Sequence, residues 1–277
     1  MNASLLIRDG DPWWMSPDIW TVPGSDPNGP AAPPAIGQST FVWARVRNDG
    51  ERALENIEIR FYWSNPATGV LRSNSTLVCV AFASIDVRES REVLCLTPWL
   101  PDGTNGGHQC LVAEAIHPYD PIPSPVPDAF TPRTHDQVAQ RNIDLVQMAV
   151  GMMLALPIQT ATPARIARQG AFRLIRHDEP LDDEQIRLMG IEQLEFEPDL
   201  AVTAGLHRGP ELSCDDFDDA QELVVELPPG HTETIHLALR TDEMAPDRYC
   251  WLSVVELDRA TKEEVGGVSF VIIGKEG

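Results

Sequence analysis

Alternation of apolar and polar residues dominates the first half of the chain. Between Phe41 and Gly50, Val42, Ala44 and Val46 fall on one face; between Glu55 and Trp63, Ile57, Ile59, Phe61 and Trp63 do the same. A period of two is the mark of a half-buried antiparallel strand. Asn48, Asp49 and Gly50 lie between the two runs and tolerate left-handed backbone angles, which predicts a strand, a turn and a strand. The same reading predicts strands near 39–48, 55–63, 76–85, 90–96, 109–117 and 137–149. Asn65-Pro66, Asp102-Gly103 and the proline series over 118–132 punctuate them. Short strands at this spacing suggest an antiparallel sandwich.

Ahead of these strands, residues 1–37 are rich in Pro, Gly, Asp and Trp and cannot form a long helix. Leu5–Ile7 and Asp18–Val22 each suit a short edge strand, and the segment is expected to pack on the first domain. The texture changes over 150–200, where Leu181 to Gly190 reads as a short helix with acids in its first turn and a glycine stop. Strands return from Leu200: 222–227, 232–240, 249–257 and 267–273. The reading is mainly β, with two antiparallel immunoglobulin-like sandwich domains, 38–152 and 153–277, and a helical insertion near 181–190.

Composition narrows the partners. With 277 residues, either half can bury a core. The formal net charge of −21 argues against nucleic acid or an anionic membrane surface, both of which would repel the chain. Five cysteines are present with no CxxC pair; Cys79, Cys95 and Cys110 sit in apolar runs and are expected to be reduced core thiols. The N-terminus does not read as a secretory signal, and the apolar run over 148–157 is too short to span a membrane. A soluble protein, cytoplasmic as given, is expected, with export by a non-standard route as the alternative.

Catalytic signatures are missing: there is no HExxH, GxSxG or Walker-type phosphate loop, so a non-enzyme is expected. The glycine-rich stretch 103–107 lies between strands, without the helix a phosphate cradle needs. His108 and Cys110 share one strand face and are the tightest pair of potential metal ligands, and Cys95 on a neighbouring strand would make a set that suits zinc; a structural use of the pair is the expected reading. Asp215, Asp216, Asp218 and Asp219 are weak candidates for Ca²⁺; a solvated loop is the simpler account of them. No cofactor is otherwise implied.

Several phrases resemble a recurring bacterial module. They are Ser16 to Trp20, Gly37 to Gly50, Phe61 to Trp63, Trp99-Leu100-Pro101, His108 to Glu114 and Gln140 to Ile143. Together, over about residues 5–150, they are similar to CARDB-like, immunoglobulin-type domains of bacterial surface proteins. The resemblance implies a sandwich with an adhesion, spacing or protein-binding role, no catalytic residues, and a structural use of His108 and Cys110. The leading expectation is therefore a non-catalytic accessory module with a protein partner. Its candidate contacts are Trp13, Trp14 and Trp20 and the proline loop with Pro121, Pro123 and Pro125. A carbohydrate-binding sandwich, whose tryptophans stack on sugars, is the alternative; a hydrolase with a site scattered in sequence is the third.

Overall fold

A computed structural model describes residues 2–65, 68–102, 110–163, 165–198, 201–211, 221–243 and 245–275. By its contacts the chain divides into two compact units. One comprises Met1–Asn65, Leu71–Asn142 and Arg187–Gly190; the other comprises Pro66–Val70, Ile143–Ile186 and Ile191–Gly277.

The first unit contains β1 (Leu5–Leu6), β2 (Ile19–Pro23), β3 (Thr40–Asn48), β4 (Leu54–Ser64), β5 (Ser75–Ile85), β6 (Ser90–Leu94), β7 (Cys110–Ile116) and β8 (Val138–Arg141). One sheet runs β1-β3-β2 with β6 also on β3; the other runs β5-β4-β7-β8. The alternation read from the sequence is the reason: Val42, Ala44 and Val46 from β3 share one buried cluster with Ile57, Ile59 and Phe61 from β4. The turn between them is held by Asn48, whose Nδ2 donates to the Arg52 carbonyl at 2.8 Å while its Oδ1 accepts from the Gly50 N–H at 3.0 Å. Gly50 is needed there because a Cβ would sit 2.6 Å from the Asn2 carbonyl oxygen.

The N-terminal segment supplies two strands to the first sheet. Asp18, 2 % exposed, is fixed by Arg8 at 2.6 Å and Arg45 at 3.1 Å. Asp9 lies nearby in sequence and is less well served. Burial, then the Asp136 carboxylate, raise its pKa to about 6 against an opposing pull from Arg133. A carboxyl whose folded pKa exceeds its ordinary 3.8 withdraws stability as pH rises between those values. Asp9→Asn is expected to raise the urea midpoint at about pH 7.5 and to raise it far less at about pH 4, where the penalty has only begun. Equal midpoints at both pH values would contradict this account.

The second unit contains β9 (Ile143–Met148), β10 (Met153–Ala161), β11 (Arg168–Arg176), α1 (Asp183–Met189) as far as Ile186, β12 (Glu195–Phe196), β13 (Ala201–His207), β14 (Glu222–Leu227), β15 (Thr232–Glu243), β16 (Arg248–Asp258) and β17 (Glu264–Gly274). A three-stranded sheet, β10-β15-β13, accompanies a larger one, β14-β11-β16-β17-β9 with β12 on β16. Ile158, Leu206, Ile235 and Leu237 from the former share one core with Phe172, Leu252, Val254 and Phe270 from the latter. The predicted helix is present as α1, with Asp183 and Glu184 in its first turn and Gly190 at φ 67° beyond its end.

Three features differ from expectation. The stretch expected as one strand over 137–149 is two: β8 pairs with β7, and β9 runs parallel to β17. Over 150–200, β10 and β11 occupy sequence that lacks clean alternation. Pro157 is tolerated in β10 because that strand is an edge of its sheet. Finally, Cys79 and Cys95 form a disulfide instead of remaining thiols, with Cα atoms 5.9 Å apart. It joins β5 of one sheet to the residue that follows β6 of the other. Cys110 and Cys250 are free and buried; burial raises both thiol pKa values, that of Cys250 to about 12.

Candidate functional site

β5 has an unusual composition for its position. It lies at the end of its sheet, and among the described residues it pairs only with β4. Its sequence, Ser75 to Ile85, carries no charge and no proline. The inward residues Cys79, Ala81, Ala83 and Ile85 belong to the core or pack against it. The outward ones are apolar too: Leu77 is 48 % exposed, Val80 39 % and Phe82 65 %. Exposed edges are commonly blunted by charge, proline or a bulge, because a row of free N–H and C=O groups templates another strand. The pairing of β4 with β5 does contain two irregularities, Leu54/Ile57 and Phe61/Tyr62. Between them, Ile57 to Phe61 pair regularly with Ala83 to Cys79. Beyond β5, Val87 is 42 % exposed; Leu96, next to Cys95, is 79 % exposed.

The outer face of this sheet continues into a cleft. Opposite Phe82, Val80 and Leu77 stand Glu58, Arg60 and Tyr62 of β4. Opposite Glu58 and Arg60 on the far side stand Ile116 and Glu114 of β7. Glu114 is 2 % exposed, and Arg72 grips it with two nitrogens, at 2.7 and 2.8 Å. A bidentate pair of this kind is the geometry in which a buried carboxylate is well satisfied. Arg72 also fastens the proline loop: its Nε donates to the Pro127 carbonyl at 3.0 Å, and its guanidinium lies 4.1 Å from the centre of the Phe130 ring. Between loop and sheet a cleft of about 450 Å³ is lined by Glu58, Arg60, His117, Pro121, Ile122 and Val126, among others.

The polar groups of the cleft are engaged with one another. Arg60 Nε donates to Glu58 at 2.6 Å, and that bond raises the Arg60 pKa. Burial raises the pKa of Tyr62. His117 Nε2 bonds the Glu55 carbonyl at 3.2 Å, and its Nδ1 accepts from the Tyr119 N–H at 3.2 Å. What the cleft offers a ligand is therefore chiefly its apolar wall of Ile116, Pro121, Ile122 and Val126.

The residues singled out from sequence are dispersed. Trp14 is 2 % exposed, and its ring meets half-buried Trp13 edge-on at 5.6 Å. Trp20 is half-buried in β2 and lies parallel to Trp43 of β3, ring centres 5.9 Å apart, with Arg45 over it. Trp43 Nε1 donates to the Pro27 carbonyl at 3.0 Å. Pro121 lines the cleft, whereas Pro123 and Pro125 are exposed on the same loop and do not line it. Asp215, Asp216, Asp218, Asp219, His108 and the stretch 103–107 lie outside the described residues. Of the suggested zinc set, Cys95 is occupied by its disulfide. Among the described residues no group of three or more His, Cys, Asp or Glu is arranged to hold a metal ion. Nor, among them, is any helix long and apolar enough to cross a membrane. Sequence reasoning missed β5 as an edge; its signal was an apolar residue at both parities, from Leu77 to Ala83.

No family model and no curated protein matches the chain. Distant similarity to bacterial β-sandwich modules is found among solved structures. The N-terminal domain of PorA is 12 % identical, with 49 % of this chain and 90 % of that one covered at a TM-score of 0.30. The CupB6 tip adhesin from Pseudomonas aeruginosa is 8 % identical, with 93 % and 99 % covered at 0.25. A mutant of the enterotoxigenic E. coli CFA/I adhesin CfaE is 9 % identical, with 100 % and 92 % covered at 0.28.

Proposed function

We propose that this chain is a non-catalytic protein-binding module and that β5 is its docking edge. The occupant is an extended segment of a second protein, added to β5 as a further strand with apolar side chains at alternate positions. The observation that carries this reading is an uncharged eleven-residue edge strand whose outward face is Leu77, Val80 and Phe82. Strand addition draws affinity from main-chain hydrogen bonds and specificity from side-chain contacts beside the edge. The immunoglobulin-type, CARDB-like character of the first unit belongs to the same reading, since such modules bind and space. The Cys79–Cys95 bond supports an oxidising compartment as the place of work, in contrast to the cytoplasmic expectation.

The carbohydrate reading has one observation in its favour, the parallel Trp20 and Trp43 rings. We rank it second because Arg45 covers Trp20 and Pro27 takes the Trp43 N–H.

A photo-cross-linking residue at position 77 in cells of the source identifies the occupant, which is then purified for binding. Val80→Lys/Phe82→Lys places charge on the outward face and leaves the core untouched. Binding is expected to weaken at least about tenfold, and the partner is expected to slow amide exchange over 77–83 in the unaltered protein. Unchanged affinity in the double variant, or cross-links and protection confined to other surfaces, would sink the reading.

A further inference from the structure

β13 and β15 set two histidines directly across from one another. His207 is the antiparallel partner of His236, and directly opposed residues have Cβ atoms about 4.5–5.5 Å apart. Both rings lie on the face away from the core, because their sequence neighbours Leu206, Ile235 and Leu237 are core residues. Pro157 of β10 completes the row across the sheet.

The ring of His236 holds an atom without a partner. Its Nδ1 is shielded from solvent and makes no hydrogen bond. A buried polar atom left unsatisfied costs free energy, and a neutral imidazole that coordinates an ion through that nitrogen would satisfy it.

We propose that His207 and His236 form a cross-strand chelate for a first-row divalent cation, with water filling its remaining positions. Imidazole suits zinc, copper and nickel, whereas calcium and magnesium prefer oxygen ligands. Two protein ligands are fewer than the three or four of catalytic and structural zinc sites, so the site exchanges its ion readily. The net charge of −21 draws cations toward the chain. Arg240 stands opposite Thr203, two rows away on the same face, and its charge is offset by Asp242 at 3.4 Å. This site is independent of β5 and of any protein partner.

The test is calorimetric titration of chelator-treated full-length protein with zinc chloride, beside His207→Ala and His236→Ala. One ion per chain is expected to bind, at least about tenfold more weakly in either variant. Absence of binding, or equal affinity in either variant, overturns the site. Should a variant fail to fold, imidazole NMR of the unaltered protein decides. Zinc must then shift the His207 and His236 ring signals and leave the other five of the seven histidines in place; any other pattern overturns the proposal.

Discussion

Arg168→Met is expected to destabilise the second unit by about 3–5 kcal/mol, the largest single-residue effect argued for this chain. Glu256 of β16 is completely buried, and Arg168 of β11, 9 % exposed, is its ion-pair partner. Thr160 Oγ1 donates to the other carboxylate oxygen at 2.6 Å, and Arg168 Nη2 reaches Thr160 Oγ1 and the Ala161 carbonyl, each at 3.3 Å. Three strands, β10, β11 and β16, thus meet on one buried carboxylate. Methionine fills much of the arginine stem's volume, so packing loss is small and what is lost is the charge with the hydrogen bonds it makes. What remains is a carboxylate with one hydroxyl and no cation.

The same argument predicts how the effect is relieved. Replacing a buried ion pair with apolar residues of similar volume is often neutral or stabilising, while removing one partner is not. Arg168→Met/Glu256→Met is therefore expected to recover most of what Arg168→Met loses. Urea unfolding followed in the second unit measures the double variant beside Arg168→Met and Glu256→Met alone. A double variant as unstable as the sum of the singles would show that shape, not charge, makes this contact matter.

The legible parts of the fold were those in which one face is polar. β3 and β4 announced themselves because Arg45, Arg47, Glu58 and Arg60 alternate with core residues. Where both faces carry apolar residues the signal fails. β10 reads Met153-Leu-Ala-Leu-Pro-Ile158 before any polar residue, and its partner β15 pairs with it across 71 to 87 residues of sequence (232 − 161 and 240 − 153), far outside the window over which a periodic pattern is read. Glu114 shows the complementary failure. By alternation it reads as an outward, solvated residue of β7, yet Arg72 and the proline loop bury it. The candidate site suffered in the same way. Trp14 and Trp20 stood out by residue type, but residue type does not report exposure, and Trp14 packs in the interior. β5 became visible as an edge only once strand order was known, because whether a strand has one neighbour or two is a property of topology.

The disulfide ties that edge to its unit, and its loss is the second large effect expected. Cys79 and Cys95 are separated by 16 residues in sequence, and closing a loop of this size restricts the unfolded chain by about 3 kcal/mol. Cys79→Ala/Cys95→Ala is expected to lower the stability of the first unit by about 2–4 kcal/mol. β5 is an edge strand paired, among the described residues, on one side alone, whereas β4 is paired on both, so its amides over 77–83 are expected to lose exchange protection before those of β4 do. The consequence reaches binding. A frayed β5 presents no ordered row of hydrogen-bonding groups, so a partner must supply the ordering free energy itself and binds more weakly. Dithiothreitol acting on the unaltered protein is expected to reproduce both the lowered unfolding midpoint and the loss of protection. If the reductant moves neither, the bond does not hold the edge. If it moves stability while partner binding stays the same, β5 is not where the partner docks.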